Sequence, residues 1–267
     1  MIVAGVDLGS ATGKAVILED EAIVASAVVR STMKPERTGL LALEAALKEA
    51  GLASVADIEY ILGTGYGRRG AAFINDNLSE ITCHARAAHY WQPAARTVVD
   101  VGGQDCKVIS LGGDGKVATF VMNDKCAAGT GRFFEVMART FDCSLDEFAA
   151  LSLQSDTPAN ITKQCSVFAE SEVITLINEG VDQADIAAGL VDSIARRLVA
   201  MIHRVGLVPR LVVTGGCAKN EALIRALDRI LGEESVWVPA PQLAGALGAA
   251  LFARDRMLRT PSELVSE

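Results

Sequence analysis

Asp7-Leu8-Gly9-Ser10, followed by Lys14, aligns without gaps on Asp100-Val101-Gly102-Gly103, followed by Lys107, at a constant offset of 93 residues. In each copy an apolar, β-branched run leads into the acidic residue (Ile2 to Val6; Thr97 to Val99), and a second run follows the lysine (Ala15 to Leu18; Val108 to Leu111). That pattern predicts a β-hairpin whose turn carries glycine. A second pair extends the echo: Ile58 to Leu62 runs into Gly63-Thr64-Gly65-Tyr66-Gly67, and Leu211-Val212-Val213 into Thr214-Gly215-Gly216. Both halves are expected to continue as helix. Apolar residues at three and four spacing predict helices over Leu40 to Ala50, Gly131 to Thr140 and Ile186 to Val205. Hairpins followed by alternating helix and strand give a duplicated α/β architecture. The expected division is a first half over 1–95, a second half over 96–241 and a C-terminal segment over 242–267, with Pro93 and Pro209 as punctuation before strands.

The chain has 267 residues, half of them apolar, enough for one large or two modest cores. Its net charge of −8 offers no basic footprint for nucleic acid or an anionic membrane, so neither is expected as a partner. Met1 leads directly into the apolar run, with no basic leader and no later uncharged stretch of membrane-spanning length, which predicts a cytoplasmic protein. None of the six cysteines forms a CxxC pair, and in a reducing compartment structural disulfides are not expected.

An acidic residue ending a strand, then small residues and a lysine, suits phosphate recognition. Backbone N–H groups of such a turn point at phosphate oxygens, the ammonium adds charge, and the carboxylate can hold Mg²⁺ or its waters. A single Asp-x-Gly strand end is most often only a hairpin turn; two copies at a fixed offset shift the balance toward function. No GxxxxGK[ST] is present, and no strand-linked GxGxxG has an acidic residue about twenty positions on.

On these motifs the chain resembles the actin-like, sugar-kinase and Hsp70-type ATPases of ribonuclease H-like fold. Asp7 to Lys14 matches their first phosphate motif, Asp100 to Asp105 the second, and Val212 to Gly216 the adenosine motif. The resemblance implies two domains around a nucleotide cleft that holds ATP or ADP with Mg²⁺, and a C-terminal helix within 242–267 that returns to the hinge or the first half. It further places Asp7 and Asp100 on Mg²⁺ and the attacking water, and Gln104 or Asp105 near the γ-phosphate. Gly9, Ser10, Ala11, Thr12, Gly13, Lys14, Gly102 and Gly103 would then line the phosphates, and Gly215, Gly216, Asn220 and Gly245 the nucleoside.

Two further segments narrow the family. Asn123-Asp124-Lys125-Cys126-Ala127-Ala128-Gly129-Thr130-Gly131-Arg132-Phe133 and Thr162-Lys163-Gln164-Cys165-Ser166-Val167-Phe168-Ala169-Glu170-Ser171-Glu172 each set a cysteine in a turn ahead of an expected amphipathic helix, with a lysine nearby. A helix N-terminus and a neighbouring ammonium both favour thiolate, the form that binds metal. Taken alone, each could be an ordinary helix-start cysteine. Together with Asp100 to Lys107 they resemble the ATP-dependent activator of 2-hydroxyacyl-CoA dehydratase, in the family that also holds the ATPase subunits of benzoyl-CoA reductase, over about residues 3–253.

That resemblance implies one [4Fe–4S] cluster shared by a homodimer, with Cys126 and Cys165 from each subunit as ligands, and leaves Cys83, Cys106, Cys143 and Cys217 as packing residues. It implies an electron taken from ferredoxin or flavodoxin and passed, with ATP hydrolysis, to a partner iron–sulfur enzyme: a 2-hydroxyacyl-CoA dehydratase, a benzoyl-CoA-type reductase or another cluster protein. Relatives commonly carry Ser or Thr before the first-motif lysine, where this chain has Gly13. A small-molecule kinase of the sugar-kinase superfamily and an actin-type sensor or filament protein are the alternatives; neither accounts for both cysteine segments. Glu170 and Glu172 are expected on a solvated helix face, and Tyr66 is expected to be structural.

Overall fold

The computed structural model describes residues 1–123, 129–162 and 165–258. They form two compact units, one of Met1–Pro93 with the chain from Leu243 onward, the other of Ala94–Gln242.

The first unit opens with β1 (Ile2–Leu8), β2 (Thr12–Glu19) and β3 (Ala22–Arg30), an antiparallel meander. Helix α1 (Pro35–Ala50) follows, then β4 (Tyr60–Thr64), the two-residue β5 (Asp76–Asn77) and α2 (Glu80–Trp91). The sheet order is β3-β2-β1-β4-β5, with β4 parallel to β1. Val3 to Leu8 of β1 are all buried, as a central strand covered on both faces requires. Alternation then sorts its side chains: Ala4, Val6 and Leu8 join Leu43 and Leu47 of α1 in one core, while Val3 joins Leu62 and Ala87 in another. Pro35 opens α1, where its missing N–H costs nothing. Gly51, left-handed at φ 70°, closes it by donating to the Leu47 and Lys48 carbonyls. The expected helix directly after Gly67 is absent. A single 3₁₀ turn over Arg68–Gly70 and the short β5 intervene, and α2 starts only at Ser79, whose hydroxyl accepts the Thr82 N–H.

The second unit repeats the plan with β6 (Thr97–Val101), β7 (Cys106–Leu111) and β8 (Val117–Asn123). Helices α3 (Gly131–Thr140), α4 (Leu145–Ser152), α5 (Ser166–Asn178) and α6 (Gln183–Val205) come next, then β9 (Leu211–Thr214) and α7 (Glu221–Leu231). The order β8-β7-β6-β9, with β9 parallel to β6, matches β3-β2-β1-β4 strand for strand. The correspondence reaches single residues. Asp7 pairs with Lys14 and Thr64, Asp100 with Lys107 and Thr214, and the pairing of second with third strand shifts register at matching places, Ile17/Leu18 and Ser110/Leu111. The core joins Val99, Val101 and Val108 to Phe133, Leu190, Ile194, Leu198 and Leu223. Helix α5 departs from the amphipathic expectation: it buries Ala169 and Val173 but exposes Val167, Phe168 and Ile174, so the surface that would cover that stripe does not come from a single copy's described residues.

The chain finally returns to the first unit as α8 (Ala244–Leu258). This helix is rich in small residues and packs so closely that a side chain on Gly5 would lie 2.0 Å from the Ala246 carbonyl oxygen, and one on Gly248 1.9 Å from that of Cys83. Among the described residues no helix is long and apolar enough to cross a membrane. Gly5→Ala is therefore expected to destabilise the first unit by about 3 kcal/mol, because both clashing partners are backbone and cannot swing aside. Urea denaturation of the variant checks it.

Candidate functional site

In the first unit Asp7 ends β1 and Lys14 stands opposite it on β2. Both side chains are largely buried, and Lys14 Nζ donates to Asp7 Oδ2 at 2.9 Å. Asp7 Oδ1, also buried, has no hydrogen-bond partner among the described residues. A buried carboxylate oxygen left unpaired is costly unless a donor or a cation meets it. Behind it the chain turns through Gly65 at φ 92°, where a side chain would lie 2.5 Å from that same oxygen. Only glycine fits both demands. The turn from Gly9 to Thr12 is braced from outside: Ser31 Oγ donates to the Gly9 carbonyl at 2.7 Å and Ser31 N–H to the Ala11 carbonyl at 3.0 Å. Ser10, Ala11 and Thr12 remain partly exposed.

The second unit builds the same corner with more charge. Lys107, almost fully buried, donates to Asp100 Oδ2 at 3.2 Å and to Asp105 Oδ1 at 2.9 Å. Gly215, at φ 89°, stands against Asp100 Oδ1 as Gly65 stands against Asp7. Thr64 and Thr214, each fully buried, precede these glycines. The carbonyls of Gly102 and Gly103 accept the N–H groups of Gly131 and Arg132, both at 2.9 Å, so the turn after β6 also caps the start of α3. Gln104 is exposed beside it. After β9, the open side of Gly216 meets nothing within 4 Å, Cys217 Sγ approaches the Gly102 carbonyl at 3.8 Å, and the Asn220 side chain caps α7 through the Leu223 N–H.

Three placements add detail to the sequence reading. Lys14 and Asp105 are both held in ion pairs, with Asp7 and Lys107 respectively. Gly245 lies in α8 of the first unit, where a side chain would come within 3.1 Å of Asp7 Oδ2 and 3.2 Å of His84 Nε2. His84, buried on α2, thus joins the Asp7 corner; nothing in its local sequence marked it, because only the packing of α2 on α8 brings it there.

Of the cysteines, Cys165 is exposed and occupies the N-cap position of α5, with no side-chain cap bond. Cys126, with Lys125 and Lys163, lies outside the described residues. Burial pushes the Cys83 thiol up to about 12, Cys106 to about 11 and Cys217 to about 12, and raises Cys143 as well. Desolvation disfavours the thiolate at each of these. Among the described residues no group of three or more His, Cys, Asp or Glu side chains is placed to hold a metal ion.

Duplicated strands ending in matched Asp–Lys corners, with a Thr-Gly turn behind each, define an α/β ATPase of the actin-like and sugar-kinase fold. The family model for BadF/BadG/BcrA/BcrD ATPases matches residues 4–253, and the chain belongs to that family. It is 46% identical to the activator of lactoyl-CoA dehydratase of Anaerotignum propionicum, over 96% of this chain and 98% of that one. Among solved structures, the activator of 2-hydroxyisocaproyl-CoA dehydratase from Clostridium difficile with bound ADPNP superposes with a TM-score of 0.91 at 41% identity, covering 96% of this chain and 95% of that one. Component A of (R)-2-hydroxyglutaryl-CoA dehydratase from Acidaminococcus fermentans gives 0.93 at 39% identity, covering 97% and 100%.

The raised thiols yield a direct expectation. At pH 8, Cys165 is alkylated by iodoacetamide within minutes in the folded, metal-free protein, whereas Cys83, Cys106 and Cys217, with about one thiolate in a thousand or fewer, stay unmodified. Peptide mass mapping distinguishes them.

Proposed function

We propose that this chain hydrolyses ATP and uses it to pass an electron at low potential to a partner iron–sulfur enzyme, a 2-hydroxyacyl-CoA dehydratase. The observation that carries the electron role is Cys165. It is exposed where a helix begins, while Cys83, Cys106 and Cys217 are kept as thiols by burial. The acceptor class is supported by the activators named above, which match this chain over 96% of its length.

Cys165 and Cys126, with the same pair from a second copy, are the proposed ligands of one [4Fe–4S] cluster. Cys165 stands at a helix start, and its exposure leaves it open to a second subunit. When bound, the cluster supplies one-electron redox chemistry, fed by ferredoxin or flavodoxin.

For ATP, the proposed phosphate contacts are the backbone amides of Gly9 to Gly13 with the Lys14 ammonium, and those of Gly102 and Gly103 with Gln104. Asp7 and Asp100 are the proposed holders of Mg²⁺ or its waters, and the unpartnered Asp7 Oδ1 suits that task because a cation or a water would satisfy it. Asp7, Asp100, Gln104 and Asp105 are the proposed groups that orient the attacking water. The open side of Gly216 leaves room for a nucleoside; Gly215, Asn220 and Gly245 are the other proposed nucleoside contacts.

Anaerobic purification with iron, sulfide and visible-spectrum analysis tests the reading. About four irons per two chains, bleached by dithionite, is the expected result. Cys165→Ser loses the visible absorbance and keeps nucleotide binding. Absence of iron after anaerobic reconstitution would overturn the electron role and favour phosphate transfer to a small molecule. Asp7→Asn is expected to lower ATP turnover roughly a hundredfold or more while leaving iron content unchanged, since removing a group that orients the attacking water costs that order of rate.

A further inference from the structure

Glu170 and Glu172 lie one and nearly two turns beyond Cys165 on α5, positions where a bare sequence suggests solvated charge. Glu172 does something else. Its Oε1 accepts the Thr162 N–H at 3.0 Å and the Thr162 hydroxyl at 2.7 Å, and its Oε2 lies 3.2 Å from the same N–H. Thr162 stands three residues before Cys165, so the carboxylate ties the chain ahead of Cys165 to the helix that follows it. Upstream, the segment is anchored by buried Ile161 and by the Ala159 N–H on the Asp185 carbonyl at 2.8 Å. Downstream, α5 is anchored by buried Ala169 and Val173. Glu172 joins the two anchors across the turn.

Glu170 faces elsewhere. It accepts the Thr140 hydroxyl of α3 at 3.3 Å, a donor that also lies 3.1 Å from the Val136 carbonyl, so that link shares one proton between two acceptors. The Glu172 contact is the stronger of the two, because a carboxylate there receives two separate charge-assisted bonds.

We propose that Glu172 is a positioning residue for Cys165: by gripping Thr162 it fixes where the thiolate stands relative to the start of α5. The proposal rests on the cluster role of Cys165 given above. It makes Glu172 a determinant of how firmly iron is held and at what potential it is reduced, without direct contact to the metal.

The test uses full-length homodimer, reconstituted anaerobically, as wild type, Glu172→Ala, Glu172→Gln and Glu170→Ala. Iron loss to a chelator is expected to be about tenfold faster in Glu172→Ala, the effect of losing a hydrogen-bonded carboxylate, with a shifted midpoint potential. Glu172→Gln keeps an acceptor oxygen for the Thr162 N–H and restores most of the wild-type behaviour, and Glu170→Ala stays near wild type. An Ala variant that matches wild type in both iron release and potential, while the wild type carries its cluster, overturns the proposal and leaves the cluster role intact. Metal-free protein separates the two failures. There, faster hydrogen exchange at the Thr162 amide and a changed alkylation rate at Cys165 in Glu172→Ala support positioning even if no iron binds, and wild-type values for both overturn it. Should Glu172→Ala not fold, Thr162→Val, which removes only the hydroxyl donor, is read by the same measurements.

Discussion

Each half of the molecule is organised around a lysine that reaches across a hairpin to an aspartate at the end of the central strand. The two groups are taken largely out of water, which costs several kcal/mol per ion before their mutual attraction repays any of it. Repayment requires the two strands to stay in one register, because a slip of one residue would send the ammonium to the opposite face of the sheet. The Asp7–Lys14 and Asp100–Lys107 pairings therefore weld the hairpins, and the turns between the strands are held open as a consequence. The glycines that close each corner from behind answer the same constraint, since any larger residue would press on the aspartate oxygen.

The two corners are not equivalent. Lys14 pairs with Asp7 and keeps a partial opening to solvent, with 13% of its side chain exposed. Lys107 is 3% exposed and pairs with both Asp100 and Asp105. The two copies of one device thus differ in how deeply the lysine is buried.

Much of this was legible in the chain itself, because gapless repetition of Asp, Gly and Lys between β-branched runs leaves few ways to fold. The α/β class, both hairpins, α3 and most of α6 follow from local pattern. The third strands were harder. Ala22 to Arg30 is an edge with one face half open, so its apolar and polar residues do not alternate cleanly. His84 near Asp7 and Glu172 on Thr162 were invisible, since each depends on elements far apart in sequence or on a turn whose closure only coordinates show. The exposed stripe of α5 contradicted expectation for a related reason: an apolar pattern says that burial is wanted, not who provides it.

Helix α8 is the last described element of the chain, yet it completes the first sheet. On a ribosome the strands around Gly5 emerge before the second unit and wait, one apolar face uncovered, until that unit has been made and Leu247 and Leu251 arrive. The unit whose strands come first in the chain is thus completed last. For a growing chain this is the most vulnerable interval, and any factor that shields nascent polypeptide would find its substrate in the face formed by Val3, Val16, Leu18 and Leu62.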